Sequence, residues 1–452
     1  MAHLLAQIPR TTFTADEILS PYIYVFYISF IVAFCFTPAM RMIAMYYGII
    51  DQPDGVRKMH STPVAYLGGV AVFMGWVAGL AISQFLKLHR NEPGLPDVVV
   101  VNFSIVLGAC VIVVLGLWDD VGGINPWVKI GGQIFAAAML LALGIGTRCT
   151  AQILSPVSSR LELWFGFPPI PEWFIFTTSC VMVTFIVVAC CNATNLMDGL
   201  DGLCGGVTAI IAAGFLFLAV HLAMYGSAIS SNWDALRVVL GLALLGAVLG
   251  FVPFNFNPAS IFMGDTGSMF LGFACATMIV LLAQEQPKWF LASMVMFALP
   301  VMDTTLAFAR RWVNGRPIFS ADKFHFHHQL IARGLSVKKT VLISYGLAIG
   351  FTLLGAAIVV TRTRYAVAIY LVTFASIIVA AYKMGMVHER PRRGMPVTLK
   401  DSDPETALAS ISPDDVFEIP QDGMESQISN GENAEETAHR KTMAQAPVPP
   451  AF

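Results

Sequence analysis

The sequence predicts an all-α polytopic membrane protein, with about 11 transmembrane helices and an active site on its cytoplasmic face. Three observations carry that expectation. Of 452 residues, 56% are hydrophobic and only 12% are charged, where soluble domains usually carry about 25% charged residues. Apolar runs of about 20 residues, long enough to cross a bilayer as helices, recur along the chain. The unusual polar clusters fall almost wholly in alternate connections between those runs.

In order, the expected spans are Tyr22–Ala44, Tyr66–Phe85, Val98–Trp118, Trp127–Ile145, Trp173–Cys190, Leu203–Tyr225, Leu236–Phe251, Gly267–Leu282, Trp289–Phe308, Val341–Val360 and Tyr365–Tyr382. Pro253, Asn255, Asn257 and Pro258 blur the ends between Phe251 and Gly267. An odd number of spans places the termini on opposite sides. Alternate connections Asp51–Pro63, Asp119–Pro126, Asn192–Gly202, Pro253–Thr266 and Arg310–Thr340 share one side with the tail. They carry most of the loop Lys and Arg, including Arg57, Lys58, Arg310, Arg311 and Arg316. Cytoplasmic loops hold that excess.

Three regions follow: an N-terminal periplasmic segment (1–21), a transmembrane catalytic domain (22–383) and a disordered, acidic cytoplasmic tail (384–452). The tail is polar, Pro-bearing and poor in aromatics. The first residues lack the features of a cleaved signal peptide, so the first apolar run is expected to direct insertion. The 8 Cys show no metal spacing and no disulfide framework. Localisation in the inner (plasma) membrane, with membrane lipid as a partner, follows from the spans. Nothing points to nucleic acid.

Ionisable groups at membrane depth are costly and usually functional. "GLWDD" ends a span in Asp119 and Asp120, whose mutual repulsion calls for a cation or donors nearby. The structural alternative is a cap for the helix starting near Trp127. Lys129 follows, suited to a phosphate or to snorkelling. "NATNLMDGLDGL" sets Asn192, Asn195, Asp198 and Asp201 at steps of three, which would form one slanted stripe if helical, while Gly199 and Gly202 either leave space beside it or break it into a hydrophilic turn. "FNPASIFMGDTGSMFLG" places Asp265 beside glycines and a helix start, where an anion and its accompanying hard cation fit together.

"RPIFSADKFHFHHQL" brings Arg316, His325, His327 and His328. His-x-His-His lacks the spacing of helical zinc ligands and has no Cys nearby. Phosphate binding or proton transfer suits it better. "DQPDGVRKMHSTPVAYLGG" adds Arg57, Lys58 and His60 before the Gly68–Gly69 pair. No Walker or kinase motif is present. The chemistry indicated is phosphate transfer at the boundary of cytosol and lipid, with Mg²⁺ held by few carboxylates.

These five motifs, in this order, resemble those of bacterial polyprenyl-phosphate N-acetylhexosamine-1-phosphate transferases. The resemblance runs from about Asp51 to Leu330 and implies the reaction. Sugar 1-phosphate passes from a UDP-N-acetylhexosamine, expected to be UDP-N-acetylglucosamine, to undecaprenyl phosphate. UMP is released and a cell-envelope polysaccharide begins. By resemblance, Asp265 matches the Mg²⁺-binding Asp, with Mn²⁺ as an alternative metal, and Asn195 an Asn near it. Asp119 and Asp120 match the essential acidic pair, and Lys129 a phosphate-contacting Lys. Asp198 and Asp201 match acids of the nucleotide or sugar site. Arg316, His325, His327 and His328 match the loop near the pyrophosphate. Among these, Asp119, Asp120 and the three His are expected to be catalytic. Arg57, Lys58, His60, Lys129, Asn192, Asp198, Asp201 and Arg316 are expected to bind substrate. A homodimer is compatible with the sequence.

Two rival readings stand beside this one. The phospho-N-acetylmuramoyl-pentapeptide transferases belong to the same family. A transporter would need its polar groups near the bilayer midplane, within repeats or broken helices. The acids here cluster at span ends.

Overall fold

The computed structural model describes residues 13–51, 63–89, 101–225, 231–315, 325–361 and 363–383. Arg57, Lys58, His60, Arg316 and the tail expected from Met384 lie outside them. The described chain is almost wholly helical. Its elements are α1 (Ala15–Leu19), α2 (Ile23–Tyr47), β1 (Ile50–Asp51), β2 (Val64–Ala65), α3 (Gly68–His89), α4 (Phe103–Gly122), α5 (Pro126–Ala142), α6 (Ala151–Phe165) and α7 (Glu172–Met197). There follow α8 (Leu203–Tyr225), α9 (Ser231–Asn255), α10 (Gly264–Ala283), α11 (Pro287–Met296), α12 (Ala298–Val313), α13 (Phe326–Ala332), α14 (Val337–Val360) and α15 (Thr363–Lys383).

Among the described residues, 8 helices are long and apolar enough to cross a membrane, or 9 if α11 and α12 form one bent span. Helix α5 and part of α15 are shorter apolar helices. Large apolar side chains such as Phe34, Val114, Phe185 and Leu353 are exposed on the outer helices. Such a surface would associate in water, and it fits hydrocarbon.

Helix α10 sits at the centre, with its apolar window fully enclosed by protein. It packs on α3, α4 and α7. Lipid tails are as apolar as leucine, so close contact between helices relies on small residues. Gly69 at the start of α3 is such a contact: a β-carbon there would strike the backbone of Gly267 on α10. The N–H groups of Gly68 and Gly69 donate to the carbonyls of Phe262 and Met263 at 3.0 and 2.9 Å. Strand β2 pairs antiparallel with β1 and touches Ile261. These bonds bring the starts of α3 and α10 together.

At the far end of α10, Arg237 is buried and donates to the Leu281 carbonyl. It also pairs with Asp234 at 2.7 Å and Glu285 at 2.5 Å. A cation suits the carbonyl end of a helix, and both its counter-charges are supplied.

Two expectations change. The connection Gly146–Pro171 contains α6, too short to span and therefore missed by a search for long apolar runs. Ile153, Val157, Leu161 and Trp164 place an apolar stripe on it at helical spacing. The expected span Trp289–Phe308 is broken: α11 and α12 meet at 72°. Pro300 has no N–H to give the Met296 carbonyl, and its ring crowds the preceding turn.

Candidate active site

The polar clusters meet at one end of the bundle, where α4, α7 and α9 finish and α3, α5, α8 and α10 begin. Asp119 and Asp120 close α4, and although adjacent they do different things. Asp119 accepts the Ile124 N–H at 2.8 Å and pairs with Lys129 on α5. Asp120 turns to α10, accepting the N–H groups of Asp265 and Thr266 at 2.7 and 3.0 Å and the Thr266 hydroxyl at 2.6 Å. It satisfies free N–H groups at that helix start, a capping role supplied from another helix. The helix beginning at Pro126 is capped instead by Asn125, which accepts the Trp127 N–H.

Asp265 is thereby held with both oxygens engaged. Oδ1 accepts from Asn195 Nδ2 at 2.8 Å, and Oδ2 lies 2.5 Å from Lys129 Nζ. The Lys129 ammonium thus stands between Asp119 and Asp265. Asn195 also donates to Ser268 at 3.0 Å, tying α7 to α10. Four residues from α4, α5, α7 and α10 form this core.

The stripe at steps of three is divided. Helix α7 ends at Met197, and Asp198 is its C-cap, with φ −79° and ψ 50°. Asn192 lies deeper, its amide donating to Gln133 at 2.7 Å and to the Val188 carbonyl at 2.8 Å, so it is not brought to the carboxylates. Asp201 accepts from Asn257 Nδ2 at 2.9 Å and the Ala259 N–H at 3.0 Å, pinning the loop after α9. Gly202 completes the turn at φ +78°, a region glycine adopts without strain. Its carbonyl accepts the Tyr345 hydroxyl at 2.6 Å.

No donor among the described residues reaches the Asp198 carboxylate. Burial, then the charges of Asp265, Asp120 and Asp201, push its pKa up to about 8.

The His-rich segment is held by a residue that the motifs did not mark. Asp303 on α12 accepts the Phe326 N–H at 2.7 Å, with His325 and His327 alongside. His328 stacks near His327 with ring centroids 4.3 Å apart. A lone acid inside an apolar span was the available signal. Tyr66 was missed as well: burial and its bond to Asp51 raise its hydroxyl pKa, with Asp120 and Asp265 nearby. Its neighbours lie too far away in sequence to mark it.

Among the described residues, no group of three or more His, Cys, Asp or Glu is arranged to hold a metal by itself. The donors present nevertheless fit Mg²⁺. Asp119 and Asp265 are hard oxygen ligands already converging on one positive charge, and Mg²⁺ takes few carboxylates, with water and phosphate oxygens supplying the rest.

Comparison with known proteins gives a consistent picture. The model of glycosyl transferase family 4 matches residues 102–283. The chain is 32% identical over 380 residues to the probable undecaprenyl-phosphate N-acetylglucosaminyl 1-phosphate transferase of Bacillus subtilis, covering 83% of this chain and 95% of that protein. It is 33% identical over 349 residues to the decaprenyl-phosphate N-acetylglucosaminephosphotransferase of Mycobacterium tuberculosis, covering 72% and 80% respectively. A phospho-N-acetylmuramoyl-pentapeptide-transferase of Bacillus thuringiensis matches at 29% over 316 residues, 68% of this chain and 87% of that protein.

Proposed function

The chain belongs to glycosyl transferase family 4, and on that premise we propose that it transfers N-acetylglucosamine 1-phosphate from UDP-N-acetylglucosamine to undecaprenyl phosphate, releasing UMP. It is a sugar-phosphate transferase, and its product would begin a cell-envelope polysaccharide. The observation that carries the reading is Lys129 between Asp119 and Asp265. It is a charged core built from separate helices at one end of an apolar bundle, where a water-soluble diphosphate and a lipid phosphate can meet.

The structure has 8 long apolar helices, or 9 spans with the bent α11–α12 pair; the 11 crossings expected from the sequence would need the two shorter apolar helices to cross as well. Arg310 and Arg311 close α12, and Lys338 and Lys339 open α14, at the same end as the acids. That positive end faces the cytoplasm of the plasma membrane.

An oxygen of the lipid phosphate attacks the phosphorus that carries the sugar. The bond from that phosphorus to the bridging oxygen breaks, and UMP leaves with the oxygen. Phosphoryl transfer depends mostly on positioning and charge stabilisation. Asp265, Asp119 and Asn195 would hold Mg²⁺, which would offset charge on the diphosphate and on the departing UMP. Lys129 is placed to exchange a carboxylate for a phosphate oxygen. A phosphate monoester near neutral pH already carries between one and two negative charges, so direct attack needs no strong base. Asp119 accepts a proton where the acceptor brings one.

Part of the polyprenyl tail would lie in the apolar groove at the helix bend, lined by Met294, Ala298, Met302, Tyr370 and Phe374. The test is UMP release by purified protein given undecaprenyl phosphate, Mg²⁺ and UDP-N-acetylglucosamine. Silence with every UDP-N-acetylhexosamine would overturn the reading.

A further inference from the structure

Asp303 is 3% exposed and lies outside the Asp119–Lys129–Asp265 core. Both its oxygens face one short stretch of chain. Oδ1 accepts the Phe326 N–H at 2.7 Å. Oδ2 faces Nδ1 of His325 at 3.3 Å and Nδ1 of His327 at 3.7 Å. The two rings are nearly parallel, 7° apart with centroids separated by 5.6 Å. One carboxylate oxygen thus lies close to both imidazoles, although neither it nor His325 Nδ1 makes a hydrogen bond among the described residues. These separations are those of a loose pair, as catalytic hydrogen bonds often are before substrate binds.

The segment is also packed in place, with Phe326 seated against Met302 and Leu306. On its other edge His327 abuts the acid-bearing turn: a β-carbon at Gly199 would stand 2.5 Å from His327 Nε2. That nitrogen is buried and accepts no hydrogen bond from the described residues. Burial, against the opposing pull of Asp303, holds the His327 pKa down at about 3, so the ring is neutral at ordinary pH. In a neutral imidazole, the partner of one nitrogen decides which nitrogen carries the proton.

We propose that Asp303 is a positioning residue for the transfer reaction. It docks the His-rich segment on α12 through Phe326, with His325 beside it, and it holds His327 in the tautomer that keeps the proton on Nδ1 and leaves Nε2 as an acceptor. The proposal rests on the transferase reading and assigns that reading's His segment its support. A purely structural anchor is separable from this role. Asparagine preserves the shape and one accepting oxygen for Phe326, but places an NH₂ donor where Oδ2 stood. An imidazole facing that donor must move its proton to Nε2.

The experiment compares wild type, Asp303→Asn and Asp303→Ala in detergent. Steady-state UMP release is measured with undecaprenyl phosphate, UDP-N-acetylglucosamine and Mg²⁺. Diethylpyrocarbonate labelling of each His is read by mass spectrometry. Asp303→Asn is expected to lower kcat about 100-fold or more, with KM for the nucleotide sugar changed less than about threefold and labelling as slow as in wild type. Asp303→Ala is expected to lose kcat similarly and to label His325 and His327 faster.

Wild-type kcat in Asp303→Asn would overturn the tautomer role. Unchanged labelling in Asp303→Ala would overturn the docking role. Nitrogen-15 histidine spectra of the unmutated protein give a reading that needs no variant to fold: a proton on Nε2 of His327 refutes the assignment. If wild type itself releases no UMP, the transferase reading fails, while labelling and spectra still decide what Asp303 does.

Discussion

Asp120 holds the backbone N–H of Asp265 at 2.7 Å, joining the end of α4 to the start of α10 across 145 residues of sequence. The neighbouring Asp119 makes no such bond and faces Lys129 instead. Two adjacent acids of identical chemistry are thus separated into a fastener and a member of the charged core.

Their variants should separate in the same way. Asp120→Ala removes three hydrogen bonds to the start of α10 and should lower stability by about 2–4 kcal/mol, since bonds to a charged acceptor are worth about 1.5–3 kcal/mol each and partly compensate when lost. Asp265→Asn should abolish UMP release while leaving the unfolding temperature near that of wild type. Thermal unfolding in detergent, run beside the UMP assay, checks both. An Asp120→Ala protein as stable as wild type would remove it from the capping role.

Lys129→Met leaves Asp119 and Asp265 without their shared cation. Mg²⁺ should then raise the unfolding temperature of the variant more than that of wild type, because a ligand that relieves repulsion binds the folded state preferentially. UMP release should fall at least about tenfold, the equivalent of losing one charged contact of roughly 1.4 kcal/mol. Equal Mg²⁺ shifts in the two proteins would count against the bridging position of Lys129.

Asp198 gives a pH test. Its folded pKa is raised to about 8 from an ordinary value of 3.8. Between those limits the folded state keeps a proton that the unfolded state has released. Stability of the metal-free protein should therefore decline as pH rises from about 4 to about 8 through this group, the direction required when the native state binds more protons. Asp198→Asn should remove that part of the slope. Unfolding temperatures of both proteins between pH 5 and pH 8, without divalent metal, make the comparison; parallel curves would refute it.

Gly69→Ala places a methyl group against the Gly267 backbone and should cost about 2 kcal/mol or more, as overpacking of tight contacts does. Gly346→Ala on α14, where the added carbon would meet no atom of the described residues within 4 Å apart from its own helix backbone and chain neighbours, should be neutral or slightly stabilising through helix propensity. Unfolding temperatures of the pair test whether close approach of α3 and α10, and not glycine content, governs this contact.

The helical spans were legible because hydrocarbon-length apolar runs leave few alternatives. Their ends were less so. The fifth expected span stopped at Cys190, yet α7 continues to Met197, because Asn192 and Asn195 are polar residues on an unbroken helix. The regular step of three is compatible with one stripe or with a turn at the glycines; the structure keeps its first two members helical, makes Asp198 the cap and turns at Gly202. Proximity in sequence also said nothing about Asp120, whose partners lie on a helix far along the chain. Asp303 was overlooked because one acid among apolar neighbours does not make a motif, although its burial cost was the clue.

The enclosure of α10 bears on handling the protein outside its bilayer. Detergent that replaces lipid reaches the outer faces of α2, α4 and α14, which carry the exposed apolar side chains. It touches none of the enclosed apolar stretch of the helix that carries Asp265. Loss of annular lipid would therefore reach the site first through α4, which carries Asp119 and Asp120, and last through α10.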